Sequence, residues 1–406
     1  MGLDLKNWKK RFIAIYAGQA FSLLGSSAAQ FALIWWLTVK TNSAVTLTIA
    51  AAVGLLPQAL LGPFAGVFVD RYSRKQIMIA SDSFVALSSA ALALAFLLGE
   101  PPLWFLYLMM FFRALGGTFQ SPAMQSSIPL LVPEQALMKV GGWGQLINSG
   151  AMMLGPVIGA AMMAFLPLSA IMLVDILGAG LAVSILAPIK IPDPPPQKTQ
   201  FRFFADMAQG LSALRQNKPL LAVTGPILLS CIVFMPLGSL YPLLVRVHYH
   251  GTAWHNSACE FVFAGGMLIA SLAVGVFGGL KRQFLMISLS LISLGTLSAL
   301  CGILPSSLFP VFLILSFFMG ATGTFFNVPY NAYIQKTIPA ESLGKVFTLI
   351  FSAMSLTSPV GLALAGPVSD RIGIDNWFLF SGILTGAVGV FCCIFTRKYE
   401  KAPLEN

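Results

Sequence analysis

Residues 219–245, PLLAVTGPILLSCIVFMPLGSLYPLLV, contain no charged side chain. A helix of about 20 mostly apolar residues is long enough to cross the hydrocarbon core of a bilayer. Eleven more segments meet that test, at approximately 12–38, 44–69, 76–98, 103–129, 140–165, 167–188, 258–279, 284–304, 309–333, 346–368 and 376–396. A large soluble core does not account for them. Of the 406 residues 57% are hydrophobic and 9% charged, whereas a soluble domain carries roughly 25% charged residues. The sequence therefore predicts an all-α integral membrane protein with twelve transmembrane helices.

Lys and Arg orient such a chain, because they collect in cytoplasmic loops. With the N-terminus inside, 20 of the 24 Lys and Arg fall in cytoplasmic segments. Only Lys40, Arg246 and Arg371 fall outside, and Arg113 lies within the fourth segment. Both termini are thus expected in the cytoplasm. The net charge of +10 follows from this topology and from attraction to anionic lipid, and it gives no argument for nucleic-acid binding. The basic N-terminal residues precede a full-length span, so an uncleaved first helix is expected rather than a signal peptide. Lys6 stands where a myristoylation signal needs Ser or Thr. The five cysteines lie in or beside apolar runs without metal-ligand spacing.

An internal repeat divides the chain. GGTFQSPAMQSSIPLLVPEQALMKV and TGTFFNVPYNAYIQKTIPAESLGKV align without gaps, pairing Gly117 with Gly323, Pro133 with Pro339 and Lys139 with Lys345. The expected arrangement is two pseudo-symmetric six-helix bundles, residues 1–188 and 219–406, the second ending in a short basic tail. A substrate site is expected between them near the midplane. Residues 189–218 form the cytoplasmic linker. Its prolines stop a helix, and FRFFADMAQGLSALR then predicts an amphipathic interfacial helix.

Three motifs carry chemistry. GVFVDRYSRK places Gly66, Asp70, Arg71, Arg74 and Lys75 in the turn between the second and third segments. Asp70 can meet a helix N-terminus, where an anion is favoured, and Arg71, Arg74 and Lys75 can pair across the seam between the halves, a latch that could close the inner face. On GAMMLGPVIGA, Gly155 and Gly159 are one turn apart and admit a close neighbour, while Pro156 bends the helix. RALGG puts Arg113 about 15 Å into the fourth segment, at 1.5 Å per residue. A charge at that depth must face protein or water.

These motifs resemble the signatures of the major facilitator superfamily, and GAMMLGPVIGA is similar to its antiporter signature, which implies an exporter. The second half departs from the first: GVFGGLKR carries Gly279 where the Asp would stand. The resemblance implies a cytoplasmic gate at Gly66, Asp70, Arg71, Arg74 and Lys75, and a seam between the two halves sealed by Gly155, Pro156 and Gly159. Drug exporters of this superfamily often carry an acid on the first helix; this chain has none there.

Which acid answers Arg113 is left open by the sequence. Asp175 on the sixth segment is close in depth, Asp82 on the third is nearer the inner face, and Glu260 is near the outer end of the eighth. With Arg113, these three are the candidates for proton coupling. Gln19, Ser22, Ser26 and Gln30 fall within an arc of about 80° at 100° per residue, one polar stripe on an apolar helix. Gln120, Gln125, Asn148, Asn327, Tyr330 and Asn331 can join it, and the backbone broken around Pro122 and Pro329 would add free carbonyls. The resulting cavity would be amphipathic and poor in charge, with Trp35, Trp36, Met152 and Met153 nearby. His248, His250 and His255 share an outer loop that nothing holds rigid, so no metal site is expected. No nucleotide fingerprint occurs, so neither ATP nor another cofactor is expected, and the energy source would be a proton gradient.

The stretches NWKKRFIAIYAGQAFSLLGSSAAQFALIWWLTVKTNSA, LLVPEQALMKVGG and LRQNK are similar to the macrolide-efflux branch of drug:proton antiporters. That likeness implies export of macrolide-like or other amphipathic compounds from a bacterial cytoplasm across the cell membrane, in exchange for protons. Alternatives left open are an uncoupled facilitator or importer, an exporter of a siderophore or lipid, and a membrane scaffold or sensor.

Overall fold

The computed structural model describes residues 8–133, 136–189, 191, 203–277 and 282–400. Among these there are thirteen α-helices and no strand. They are α1 (Trp8–Thr41), α2 (Ala44–Arg71), α3 (Arg74–Leu98), α4 (Leu103–Leu131), α5 (Leu137–Phe165), α6 (Leu168–Leu186), α7 (Phe203–Gln216), α8 (Lys218–Leu243), α9 (Ala253–Phe277), α10 (Gln283–Ile303), α11 (Phe309–Thr337), α12 (Ala340–Ile372) and α13 (Ile374–Glu400). Much of the expected linker, residues 190 and 192–202, and the tail 401–406 lie outside the described residues.

The turns explain the breaks between helices. Pro102, Pro167 and Pro339 stand just before α4, α6 and α12, where a residue without an N–H costs nothing. The Asn217 side chain accepts from the Leu220 N–H at 3.1 Å and caps α8. Gly373, with φ +93°, ends α12 in a conformation that a side chain resists.

Among the described residues, eleven helices are long and apolar enough to cross a membrane. At 29 residues α4 is long enough, but Arg113 and Gln120 lower its hydropathy and it is not among them. The expected breaks at Pro122 and Pro329 do not occur: α4 and α11 continue through both. Proline removes one hydrogen bond, and neighbouring helices can hold the bent helix together.

The chain clusters into two compact units, Met1–Trp36 with Ala50–Phe201, and Leu37–Ile49 with Arg202–Asn406. In the first, α3 packs on both α4 and α6. The α3 helix is turned inside out relative to a soluble helix: Asp82, Ser88 and Ser89 are buried, while Leu87, Leu94 and Leu97 are exposed. Lipid outside and polar contacts inside require that arrangement. A core at one end joins Phe12, Val69, Met78, Leu131, Val140 and Leu186, residues from six helices.

In the second unit α9 packs on α11 and α10 on α13. Both contacts depend on glycine. A Cβ at Gly266 would strike the Phe317 carbonyl and one at Gly320 the Phe263 carbonyl, so the backbones of α9 and α11 touch reciprocally. The amphipathic α7 docks on α12, with Gly210 against the Lys345 carbonyl and Leu214 in the unit's apolar core.

Candidate functional site

The first unit lines a partly open cavity of about 480 Å³. Gln19, Ser22, Ser26 and Gln30 on α1, Arg113 and Gln120 on α4, and Asn148 on α5 all border it. These are seven of the eight polar residues of this unit that the sequence marked for a cavity. The eighth, Gln125, is exposed and donates to Ser121 Oγ one turn back at 3.2 Å. The helical stripe on α1 faces the cavity as one strip. Asp82 on α3 borders it as well. Met152 adds an apolar wall, whereas Trp35 is buried and Trp36 packs edge-on against Phe96.

Arg113 forms an ion pair with Asp175 on α6. Of the three acids proposed for it, geometry selects this one. Asp175 is 0% exposed and is surrounded by donors. Ser26 Oγ donates to Asp175 Oδ1 at 2.6 Å, and Ser89 Oγ donates to Oδ2 at 2.6 Å. Arg113 Nη1 donates to Ser89 Oγ and to Asp175 Oδ2, and Nη2 donates to the Ser26 carbonyl at 3.3 Å. A buried pair is tolerable only when its remaining lone pairs and protons are satisfied, and the two serines supply most of that. Arg113 Nε has no partner. Four helices, α1, α3, α4 and α6, thus converge on one carboxylate at the wall of the cavity.

A second polar chain lies beside it. Gln120 Nε2 donates to Gln19 Oε1, and Gln19 Nε2 donates to Asp82 Oδ2 at 3.0 Å. The two amides relay between α4, α1 and α3. Asp82 is therefore held by an amide, not by a guanidinium.

Ser89 escaped the sequence reading, although a signal existed. It lies seven residues beyond Asp82 on α3, so both occupy one helix face. Gly25 also shapes the site: a Cβ there would lie 3.5 Å from the Asp175 Cα, so α1 and α6 pack closely where the ion pair forms.

The signature glycines of α5 face α1 within the same unit. A Cβ at Gly159 would lie 2.8 Å from the Ala28 carbonyl oxygen, and one at Gly155 would overlap Ser27. Pro156 stands inside α5, one residue beyond Gly155. On the cytoplasmic-gate motif, Lys75 Nζ donates to the Ala187 carbonyl at 2.6 Å, capping the C-terminal end of α6, where a cation is favoured. Arg71 is exposed and Arg74 begins α3. Gly66 and Asp70 lie in the last turns of α2, and their side chains fall outside the described ones.

The candidates in the second unit do not assemble into a comparable site. Tyr330 is 3% exposed in the apolar core, with its hydroxyl 2.9 Å from Thr224 Oγ1 and its ring stacked on Phe326. Its polar tip is satisfied by a neighbouring helix rather than a cavity. Asn327 is exposed and donates to the Gly323 carbonyl one turn back at 3.3 Å, and Asn331 is half-buried. Glu260 accepts from Asn256 Nδ2 at 2.9 Å, within α9. The histidines do not converge: His248 Nε2 is 2.8 Å from the Leu304 carbonyl, and His255 Nδ1 lies 2.9 Å from Thr252 Oγ1. No metal-holding cluster occurs among the described residues.

Comparison with known proteins follows this geometry. The family profile of the Major Facilitator Superfamily matches residues 15–280 and 251–406. The chain is 38% identical over 388 residues to macrolide efflux protein A of Streptococcus pyogenes, covering 95% of this chain and 96% of that one. It is 36% identical over 323 residues to macrolide efflux protein A of Enterococcus faecalis, covering 79% of this chain and 100% of that one. It is 26% identical over 399 residues to the multidrug efflux pump Tap of Mycobacterium bovis, covering 93% and 92%. Among solved structures, the peptide transporter POT aligns with a TM-score of 0.73 at 13% identity over 96% of this chain and 94% of that one. A bacterial homologue of the lysosomal transporter Spinster aligns at 0.70 and 11% identity, over 98% and 97%. With so many apolar spans, this is a multi-pass protein of the cell membrane. The chain belongs to the Major Facilitator Superfamily.

Proposed function

We propose that this protein is a secondary exporter that moves macrolide-like or other amphipathic compounds out of a bacterial cytoplasm in exchange for protons, by alternating access. The observation that carries the reading is the cavity in the first unit, walled by amides and hydroxyls and backed by a buried ion pair. Such a wall suits a bulky ligand with scattered polar groups and a large apolar surface. The relatives named for macrolide efflux, at 38% and 36% identity, support that substrate class.

In this reading α4 is the twelfth span, alongside α1–α3, α5, α6 and α8–α13, and α7 is the cytoplasmic connector. Both termini are cytoplasmic, as the Lys and Arg distribution requires. Residues 1–188 and 219–406 are the two bundles that move in the cycle. Arg113 can stay charged in the membrane because Asp175 compensates it, which fixes the guanidinium at the cavity wall. Asp82 is the carboxylate that takes up and gives up the proton, since an amide leaves its charge uncompensated and a guanidinium would pin it ionised. Protonation would release the Gln19 amide from an anion, and Gln19 connects to Gln120 on α4. Proton occupancy at Asp82 is thereby linked to the wall that ligand touches. Gly66, Asp70, Arg71, Arg74 and Lys75 form the inner gate, and Gly155, Pro156 and Gly159 keep α5 close-packed as the bundles rock.

The test is accumulation of a labelled macrolide in a pump-deficient bacterial host. Expression of the chain should lower accumulation, and a protonophore should restore it to the level of cells without the protein. Lowered accumulation that survives the protonophore would exclude proton coupling, and unchanged accumulation across a panel of amphipathic drugs would exclude drug export.

A further inference from the structure

Residues 37–49 are the end of α1 and the start of α2, yet they cluster with the second unit, while the remaining residues of both helices cluster with the first. A single carboxylate holds this turn. Asp370, two residues from the end of α12, accepts from Ser43 Oγ at 2.8 Å, from the Ala44 N–H at 2.6 Å and from the Val45 N–H at 3.3 Å.

The first N–H groups of a helix have no partner within it, and they form the positive end of its dipole. Ser43 is the local cap of α2: its Oγ accepts from the Thr46 N–H at 3.4 Å. That leaves the N–H groups of Ala44 and Val45, and Asp370 takes both with one charged group. Charge-assisted hydrogen bonds of this kind are among the stronger ones in proteins. Gly366 lies one turn before Asp370 on the same face of α12, and a Cβ there would sit 3.0 Å from the Val45 Cα. The glycine lets α12 come near enough for the carboxylate to reach. Asp370 itself is exposed, so water can take over its oxygens when the helices part. The contact is strong enough to hold and wet enough to release.

We propose that Asp370 is a latch for the outer gate: it holds the first turn of α2 against α12 while that end of the transporter is closed, and it lets go once per cycle. The inference rests on the alternating-access reading above, and on its topology, which puts this end, flanked by Lys40 and Arg371, outside the cell. Asp370 is a positioning residue and touches no ligand.

The experiment needs no drug. Thr48 is buried beside Gly366, so a cysteine there reports whether the gap is open. In a Cys393→Ala background, Thr48→Cys is exposed to a membrane-impermeant maleimide in intact cells, and labelling of the same background without Thr48→Cys is subtracted. Asp370→Ala should raise the labelling rate about tenfold, and Asp370→Glu, which keeps the charge, should stay within about twofold of the parent. Ser43→Ala, which removes one donor to the carboxylate, should give a smaller rise. Equal rates in the parent and Asp370→Ala would overturn the latch. So would loss of folded protein in both Asp370→Ala and Ser43→Ala, since the carboxylate would then be a fixed part of the scaffold. If labelling is unchanged while macrolide export persists, only the latch fails. If labelling rises as expected in a protein that exports nothing, only the transport reading fails.

Discussion

Replacing Asp175 with Asn tests the ion pair with almost no change of shape. The carboxylate is 0% exposed and accepts from Ser26, Ser89 and Arg113 together. Asn keeps an oxygen for Ser26 but turns an NH₂ toward Ser89 and Arg113, so the guanidinium loses the anion it is paired with. Breaking a buried pair from one side costs about 3–5 kcal/mol. Because Arg113 borders the cavity, some water can reach it, and about 3 kcal/mol is the better figure. At roughly 2–4 °C per kcal/mol, detergent-solubilised Asp175→Asn should unfold about 6–12 °C lower than the parent. The double variant Arg113→Met with Asp175→Asn removes both charges and should recover more than half of that loss, because the penalty comes from the stranded charge. Thermal unfolding followed by fluorescence-detected size exclusion reads the parent, the single variants Asp175→Asn and Arg113→Met, and the double variant. If the double variant loses as much as the two single losses added, the residues are not coupled. If Asp175→Asn loses nothing, the buried pair is not what keeps Arg113 in the membrane. Export should be absent in the double variant despite its recovered stability; native export there would make the pair pure scaffold.

Other substitutions separate the remaining roles. Asp82→Asn should abolish macrolide export driven by a pH gradient while leaving macrolide counterflow in proteoliposomes, and loss of both would place Asp82 in ligand binding instead. Gly159→Val should collapse the yield of folded protein, since a Cβ there meets the Ala28 carbonyl at 2.8 Å, whereas Gly150→Ala, with nothing within 4 Å, should be silent; monodisperse yield after extraction compares them. Lys75→Ala uncaps α6 and should cost about 0.3–1 kcal/mol, a shift of only a few degrees in the same melting assay. A drop as large as that expected for Asp175→Asn would mean Lys75 holds more than one helix end.

The spans were legible because the bilayer imposes one crude requirement, length and apolarity, that any amino-acid string reports directly. The strip Gln19, Ser22, Ser26 and Gln30 was legible for a related reason: helical geometry alone brings the four onto one face. What faces that strip was not. Asp82, Asp175 and Glu260 were equal candidates for Arg113, and the choice depends on how far α6 is rotated about its axis, which close contacts at Gly25 and Gly178 determine. Tyr330 shows the opposite failure. A polar tip on a membrane helix was read as pointing to a cavity, but Thr224 on α8 satisfies it in the core. The bond from Asp370 to Ser43 joins residues 327 apart in sequence, and no local pattern announces it.

In the proposed cycle the charged, wet wall of the first unit is what moves ligand against a gradient. The direct measurement is macrolide uptake into proteoliposomes carrying the purified protein, with an imposed pH gradient and no other energy source. The account predicts accumulation above the external concentration, collapse with a protonophore, and none with Arg113→Ala in vesicles that contain as much protein. Equal accumulation with Arg113→Ala, or uptake that ignores the pH gradient, would contradict it.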